Sequence, residues 1–181
     1  MKFTEITSAK EVRKNFKDIP STGGVYKHFI DKEGLELLMG VEPTQEETTK
    51  DGETVYLVYI GLAKDIQYRF KWHLGEVNVS HSCIAHGTLS TLRLTYMSNH
   101  KNIDCLSQQD QLNTFIDSHV YLCYLETPNY VLLEDELIKN NDLPLNIKGN
   151  KHPFIQLNKQ RRKEIKVKYN SSNQLKRLSP S

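Results

Sequence analysis

The run ETVYLVYIG at residues 53–61 constrains the fold of this chain more than any other stretch. β-Branched and aromatic residues favour extended structure, and Gly61 closes the run. Asp65 comes shortly afterwards, where its side chain is suited to cap the N-terminus of a helix over residues 66–74. The sequence therefore predicts a buried strand that leads directly into a helix.

The predicted helix has two distinct faces. Its apolar face carries Ile66, Phe70 and Leu74, while Arg69 and His73 share another face, one turn apart. An exposed arginine and a half-buried histidine are ordinary on a surface helix, so neither residue alone indicates a functional site.

Other helices and strands follow from capping residues, hydrophobic periodicity and turn residues. Two further strands are predicted, at residues 25–30 and 119–126. Helices are predicted at residues 8–16, 88–97, 107–118 and 127–141. The last helix is expected to direct four apolar residues into the core: Leu132, Leu133, Leu137 and Ile138.

These elements predict an α+β fold, with a small three-stranded sheet, mixed or antiparallel, flanked by helices. A doubly wound βαβ fold is disfavoured, because the chain has neither a GxGxxG nor a GxxxxGK phosphate loop. We expect a helical extension at residues 1–19, a folded domain at residues 20–154 and a basic, partly disordered tail at residues 155–181.

Charge is distributed unevenly along the chain. Residues 31–53 carry eight acids and two lysines, and are predicted to form a solvated excursion between two strands, with a strand as one alternative around residues 35–40. Residues 155–181 carry eight basic residues and one acid. Because basic side chains neutralise phosphates and release counterions, this tail is a candidate for contacting nucleic acid. A solubilising tail is the alternative. The candidate contacts are Lys159, Arg161, Arg162 and Lys163.

Composition predicts a cytoplasmic protein outside the membrane. The hydrophobic fraction is 38%, and no apolar stretch approaches the roughly 18 residues that span a bilayer. The charged N-terminus resembles no secretory signal. Cys83, Cys105 and Cys123 are expected to be reduced thiols, and HSCIAH at residues 81–86 matches no zinc-binding CxxC framework.

Tyrosines on the two strands that flank the acidic excursion are the first candidates for chemistry. Adjacent strands would bring Tyr26 and Tyr59 together, with Arg69 and His73 on the helix that follows. Hydrolysis of a phosphodiester needs a base, a cation and usually a carboxylate-bound metal. The acids EDE at residues 134–136 offer the carboxylate, but periodicity does not select among them. Residue types and spacing thus establish no more than an α+β domain with a basic tail.

Several short motifs resemble those of a known family. GGVY at residues 23–26 and VYIG at residues 58–61 are similar to the two signature triplets of the GIY-YIG nucleases. Arg69 falls where that family has a helix arginine, and His73 falls where some members, notably restriction endonucleases, have a histidine. LLEDELIKNNDLPLN at residues 132–146 resembles the family's late motif.

The resemblance covers most of the chain and implies a Mg²⁺-dependent DNA endonuclease, with Mn²⁺ as the alternative ion. It selects Glu134 from the three acids as the metal ligand. It adds Asn146, which would position the backbone or support Glu134. Arg69 would hold the phosphate and its developing charge.

The same resemblance implies roles for three further residues. Tyr26 would orient or deprotonate the attacking water, and His73 would accept or relay the proton. Tyr59 would complete the hydrogen-bond network. Which of the two tyrosines acts as the base stays open.

One spacing departs from the family pattern. Compact members place the two triplets close together, whereas Tyr26 and Tyr59 are 33 residues apart. The excursion between them is therefore expected to be an enlarged hairpin loop, as in restriction-type members, that lies away from the phosphate path or screens non-cognate contacts. Restriction, mobile-element and repair roles stay open, as do a monomer and a homodimer. The rival classes are a nucleic-acid-binding module that keeps the fold without cutting, and a scaffold protein.

Overall fold

The computed structural model describes residues 2–42, 44–76 and 90–178, with side chains as far as residue 171. Five strands form one antiparallel sheet: β1 (Thr7–Ser8), β2 (Gly24–Asp31), β3 (Gln45–Thr48), β4 (Thr54–Ala63) and β5 (Val120–Glu126). Their order across the sheet is β1-β5-β2-β4-β3.

The predicted α+β class is confirmed, but the prediction of a three-stranded sheet is wrong. The three predicted strands form the centre of the sheet, as β5, β2 and β4. The edge strands escaped prediction because β1 has two residues and β3 has the polar sequence QEET. Short, polar edge strands carry little of the hydrophobic alternation that identifies a strand in a sequence.

Seven α-helices accompany the sheet in the described part of the chain: α1 (Ala9–Lys14), α2 (Lys32–Glu36), α3 (Ile66–Leu74), α4 (Thr91–Asn99), α5 (Gln109–His119), α6 (Tyr130–Asn140) and α7 (Ile155–Leu178). A 3₁₀ turn follows α1 at Phe16–Asp18. None of these helices combines the length and the apolar character that crossing a membrane requires. The first two residues of the helix predicted at 88–97 lie outside the described residues.

Helix α2 occupies the start of the acidic excursion and overlaps the first two residues of the alternative strand at 35–40. The Asp31 carboxylate caps this helix by accepting a hydrogen bond from the Gly34 N–H at 2.7 Å. An Asp side chain that satisfies a free N–H in the first turn favours a helix over an extended chain. Part of the excursion is therefore folded onto the domain rather than solvated.

Alternating side chains of the sheet enter two apolar cores, one on each face. On β2, Tyr26 and Ile30 face the larger core, while Val25 and Phe29 face the smaller one. Helices α1 to α5 and α7 contribute buried residues to the larger core, and α6 covers the smaller one. The candidate tyrosine of β2 is therefore directed towards the face that carries α3.

A bulge in β4 sets the direction of the second candidate tyrosine. Two consecutive residues of β2, His28 and Phe29, pair with Tyr59 and Leu57, so Val58 has no partner on β2. A bulge of this kind inserts one extra residue into a strand. Tyr59 consequently packs against the larger core.

Fewer apolar residues of helix α6 are buried than the sequence predicts. Ile138 is buried, and Leu133 and Leu137 pack partly buried against the smaller core. Leu132, however, is 73% exposed. The prediction was wrong for Leu132 because four apolar residues in one short helix exceed the width of the face that the sheet covers.

Residues 155–178, for which the sequence predicts a partly disordered tail, form helix α7. Ile165 and Tyr169, one turn apart, are buried in the larger core. Two apolar residues at this spacing dock a helix even when basic residues surround them. The division of the chain at residues 19 and 154 and the cytoplasmic location remain predictions.

Candidate active site

Tyr26 and Tyr59 come together on the neighbouring strands β2 and β4. Their ring centroids lie 6.2 Å apart, with 30° between the ring planes. Gly61 pairs with Tyr26 across the two strands, and a Cβ atom at position 61 would lie 2.5 Å from the Tyr26 hydroxyl oxygen. The lack of a side chain at Gly61 therefore leaves the space that the Tyr26 phenol occupies.

A buried hydrogen-bond chain runs from Tyr26 through His73 to Ser90. The Tyr26 hydroxyl oxygen lies 2.8 Å from His73 Nε2, and His73 Nδ1 lies 2.5 Å from Ser90 Oγ. Ser90 is the N-cap of α4, and its Oγ accepts a hydrogen bond from the Arg93 N–H at 3.4 Å. With the His73 proton on Nδ1, the ring donates to Ser90 and accepts from Tyr26 at Nε2, and with the proton on Nε2 both directions reverse.

Local signals at both ends of α3 hold His73 in this position. Asp65 Oδ1 accepts from the Tyr68 N–H at 2.8 Å, so the predicted N-cap is confirmed. The helix ends at Gly75, whose φ of 81° lies in the left-handed region that favours glycine. The predicted apolar face is fully buried, His73 is buried beside it, and Arg69 is exposed on the outer side.

Burial keeps the side chains of Tyr26, Tyr59 and His73 neutral. It raises the pKa of the Tyr26 phenol well above its ordinary value, with a further increase from Tyr59 nearby. It also raises the pKa of Tyr59 and lowers the pKa of His73 well below its ordinary value. Desolvation disfavours the charged form of each group. At neutral pH the site therefore contains two phenols and a neutral imidazole.

A pocket of about 440 Å³, here named the tyrosine pocket, opens beside the hydrogen-bond chain at Tyr26. Five of the six predicted catalytic residues line it: Tyr26, Tyr59, Arg69, Glu134 and Asn146. The sixth, His73, lies behind Tyr26 and reaches the pocket through the Tyr26 hydroxyl. The structure thus brings the predicted residues of two helices, two strands and a loop to one place.

Glu134 is the acid of the EDE triplet that the tyrosine pocket partly buries. Burial raises the pKa of its carboxyl group, while the Leu62 backbone N–H and the Lys148 ammonium favour the charged form. Asp135 also borders the pocket but is exposed, and Glu136 is exposed without lining it. Geometry therefore separates three acids that periodicity left equivalent.

The surroundings of Glu134 fit a hydrated divalent cation. No group of three or more His, Cys, Asp or Glu residues within 2–42, 44–76 and 90–178 is placed to hold a metal. Mg²⁺ keeps several waters and is usually bound by one or two carboxylates together with substrate phosphates. Glu134, with Asp135 beside it, offers that kind of site. The residues of HSCIAH lie outside the described part of the chain.

Asn146 is bound to the backbone of β4. Its Oδ1 accepts from the Ile60 N–H at 2.8 Å, and its Nδ2 donates to the Ile60 carbonyl at 2.7 Å. Of the two expected roles, the observed geometry is that of a residue that positions the backbone. The strand segment that carries Tyr59 is held in place by these two bonds.

The basic residues predicted to contact DNA divide into two sets. Three of them, Lys159, Arg162 and Lys163, line a surface groove on α7 together with Lys166, and these four residues are here named the basic groove. Arg161 instead turns into the fold, where it donates to the Met39 carbonyl at 2.6 Å and to Asn99 Oδ1 at 2.7 Å. Arg162 lines the tyrosine pocket as well as the basic groove.

A comparison with models of protein families identifies the arrangement. The model of the GIY-YIG catalytic domain matches residues 24–170. The chain belongs to the GIY-YIG family. The matched region includes both triplets, α3, α6 and most of α7. No curated protein and no solved structure matches the chain.

Membership of the GIY-YIG family implies an endonuclease with DNA as its substrate. GIY-YIG nucleases are generally dependent on divalent metal ions. Both implications agree with the expectations drawn from the two triplets.

The GIY-YIG site includes side chains that sequence reasoning missed. Ser90 contacts His73, and its only signal in the sequence is that a serine often caps a helix. Lys148 lines the pocket from a loop and has no pattern that distinguishes it from other lysines. His28 lies beneath the tyrosines, where burial lowers its pKa to about 3 and a 3.4 Å hydrogen bond joins it to the Tyr96 hydroxyl.

Proposed function

We propose that this protein is a Mg²⁺-dependent DNA endonuclease in which Tyr26 and His73 activate the attacking water. The observation that carries the proposal is the buried chain from Tyr26 through His73 to Ser90, which ends at a pocket that also contains Arg69 and Glu134. A restriction-type role is the biological context that the long insertion between the triplets favours.

The 2.8 Å contact between the Tyr26 hydroxyl oxygen and His73 Nε2 supports a proton relay. With the His73 proton on Nδ1, the Tyr26 hydroxyl donates to Nε2, and its oxygen lone pairs are left to accept a proton from a water in the tyrosine pocket. As the water oxygen attacks phosphorus, its proton moves to the Tyr26 oxygen, and the Tyr26 proton moves to His73 Nε2. The P–O3′ bond breaks, and the products are a 5′-phosphate and a 3′-hydroxyl that takes its proton from solvent.

A relay fits the electrostatics better than a standing phenolate. A phenol of ordinary pKa near 10 is ionised to only about 0.1% at pH 7, and burial raises the pKa of Tyr26 further. Burial also keeps His73 neutral and therefore able to accept a proton. The negative charge that develops on the phosphate opposes the cost of forming a buried imidazolium.

Other residues bind and orient the substrate. Arg69 holds the scissile phosphate with its guanidinium, which matches phosphate oxygens in a bidentate manner. Glu134 would hold the metal ion. A divalent ion bound there would supply Lewis acidity to the phosphoryl oxygens. Tyr59 completes the hydrogen-bonding surface, and Asn146 holds the backbone of its strand.

The rival proposal is a nucleic-acid-binding module that keeps the fold without cutting. The basic groove supports affinity for DNA under either proposal. The two proposals differ in whether the protein requires Glu134. A binding module gains nothing from a partly buried carboxylate beside the DNA phosphate.

The deciding experiment is digestion of a long phage DNA with the purified protein and Mg²⁺, with EDTA as a control. Glu134→Gln is compared with Glu136→Gln, because Glu136 lies on the same helix but is exposed outside the tyrosine pocket. The metal supplies several kcal/mol of transition-state stabilisation, so Glu134→Gln should lower the rate by about 10³-fold or more. Glu136→Gln should cut at the wild-type rate.

The possible outcomes separate the two proposals. Discrete fragments indicate a sequence-specific endonuclease, and a smear or nicking indicates a relaxed or structure-directed one. DNA that is shifted on a gel but never cut supports the binding module. Cleavage that survives Glu134→Gln refutes the metal assignment.

The raised pKa of Glu134 gives a second readout that does not depend on activity. The folded-state pKa lies above the ordinary value, so the charged carboxylate costs stability once the pH exceeds that ordinary value. At pH 7–8 without metal, Glu134→Gln should therefore unfold at a temperature equal to or above that of the wild type. A clear decrease in Tm would show that the carboxylate is structural.

A further inference from the structure

We propose that Arg162 is a second phosphate-binding arginine of the tyrosine pocket, so that helix α7 completes the catalytic site. This inference rests on the nuclease function proposed above. It separates Arg162 from the other basic residues of α7, which lie along the surface.

Helix α7 is fixed against the domain by a buried polar cluster. Asn158, fully buried, donates to the Pro144 carbonyl at 2.7 Å and accepts from Asn99 Nδ2 at 2.7 Å. Arg161 adds its bond to Asn99 Oδ1 at 2.7 Å. These hydrogen bonds hold the helix in one position, because a shift would leave a buried polar group unpaired, which is costly. The residue after Arg161 therefore has a well-defined place.

Arg162 is directed towards Tyr59. It lines the tyrosine pocket, and its charge favours the ionised form of the Tyr59 phenol. Arg162 is half-buried, and the partial removal of its guanidinium from water lowers its pKa. A basic residue that only decorated a helix surface would keep its hydration.

The guanidinium of Arg162 lacks a counter-charge in the described residues. Its Nε atom is buried without a hydrogen-bond partner, and no carboxylate forms an ion pair with it there. A partly buried cation without a partner is costly, so its natural partner is an anion that enters the pocket. The anion that the proposed substrate brings is a DNA phosphate.

The charges of the tyrosine pocket agree with a phosphate at this position. Three cationic side chains line it, Arg69, Lys148 and Arg162, against two acidic ones, Glu134 and Asp135. A phosphodiester carries one negative charge and gains a second as the attacking oxygen approaches. Arg69 from α3 and Arg162 from α7 supply guanidinium groups from two separate elements, and the paired donors of a planar guanidinium can bind two oxygens of one phosphate.

The three lysines of the basic groove are expected to bind the DNA backbone away from the cleaved phosphate. Lys159, Lys163 and Lys166 line the groove with Arg162 but do not line the tyrosine pocket. Arg162 is the residue common to both, so the groove leads to the pocket at that point. The DNA backbone on one side of the cleaved phosphate is therefore expected to follow α7.

The test compares Arg162→Met with Arg162→Lys and with Lys168→Gln. Lys168 is a matched control, because its substitution removes one positive charge from the same helix, while its side chain pairs with the exposed Asp104 away from the pocket. Single-turnover cleavage of phage DNA is measured in Mg²⁺ with enzyme in excess. Binding of a short duplex is measured in EDTA as a function of salt concentration.

We expect Arg162→Met to lower the single-turnover rate by about 10²- to 10³-fold, as removal of one electrostatic stabiliser of a transition state does. The slope of log K against log salt should fall by about 0.9, the value for one phosphate that is no longer neutralised. Arg162→Lys should fall between wild type and Arg162→Met, since it keeps the charge but not the paired donors. Lys168→Gln should cleave within about twofold of wild type, because exposed pairs contribute little.

A single-turnover rate of Arg162→Met within about threefold of wild type would overturn the inference while leaving the nuclease proposal intact, because the expected decrease is far larger. If the wild type itself cuts no DNA, the nuclease proposal fails, and the salt slope then decides whether Arg162 binds phosphate: an unchanged slope refutes that binding. Thermal unfolding accompanies each variant, and Arg162→Gln replaces Arg162→Met if the latter does not fold.

Discussion

The acidic excursion at residues 31–53 and the basic segment at residues 155–178 carry opposite charges and were both predicted to be peripheral. The structure gives them different relations to the tyrosine pocket. No described residue of the excursion lines that pocket, whereas α7 brings Arg162 to its wall. The position of the excursion relative to bound DNA stays a prediction.

Both regions also contain parts that the core requires. Leu35, Leu38 and Val41 of the excursion are buried in the larger core, as are Ile165 and Tyr169 of α7. A net charge thus predicts that one face of a segment is solvated, not that the whole segment is. A few apolar residues are enough to dock it, because each buried side chain contributes about 1.5–3 kcal/mol.

The largest expected effect comes from removing α7. Ending the chain before residue 155 removes two buried side chains and the bonds of Asn158 and Arg161, against a total stability of about 5–15 kcal/mol for a domain. We expect loss of the cooperative unfolding transition followed by circular dichroism. A truncated chain that melts near the wild-type temperature would show that α7 is not needed for folding.

A second change disturbs the tyrosine pocket without touching either region. Gly61→Ala places a Cβ atom where the Tyr26 hydroxyl lies, so the phenol must leave its bond to His73. Overpacking of this kind costs about 1–3 kcal/mol of stability. The misplaced relay should lower cleavage by about 10²-fold, as small displacements at a reacting centre do. Cleavage at the wild-type rate would exclude Tyr26 as the relay.

A smaller effect is expected when charge is removed from the basic groove alone. The triple variant Lys159→Gln, Lys163→Gln and Lys166→Gln keeps α7 docked, because none of these side chains lies in the core. The salt slope of DNA binding should fall by about 0.9 for each phosphate that these lysines neutralise in the wild type. An unchanged slope would leave the groove with a solubilising role only.

The smallest effect is expected from the matched change in the acidic excursion. Glu42→Gln, Glu46→Gln and Asp51→Asn neutralise three exposed acids that do not line the pocket. Surface substitutions of this kind change stability by no more than about 0.5 kcal/mol, and cleavage of the same phage DNA should stay within about twofold of wild type.

The fragment pattern of that variant tests the other expectation for the excursion. If it screens non-cognate contacts, neutralising its acids should add new fragments to the digest. An unchanged pattern would restrict the excursion to a structural role.

How much of the site the sequence could predict depends on the kind of signal. The strand that carries Tyr59 and the cap of α3 follow from local rules, and both are present in the structure. Glu134 and Asn146 could be selected only through resemblance, because a helix of three adjacent acids gives no local reason to prefer one. Nothing local marks Lys148, which depends on where a loop passes the pocket.

The parts of the fold that were missed have a common physical cause. β3 is a strand because β4 offers it an unpaired edge, not because QEET favours extension. Helix α7 is ordered because Asn158 meets Asn99 and Pro144, partners that lie 59 and 14 residues away in the chain. Such partners are visible only once the fold has formed.

The bulge at Val58 acts as a phase shift in the alternation of β4. Residues two apart share a face in a regular strand, so without the shift Tyr59 would lie on the side of Leu57, opposite Tyr26. The two halves of β4 are each regular but one step out of register with each other. Deleting Val58 would therefore remove the bulge and keep Leu57 and Tyr59 on their present faces, whereas straightening the bulge with Val58 in place would turn Tyr59 away from Tyr26.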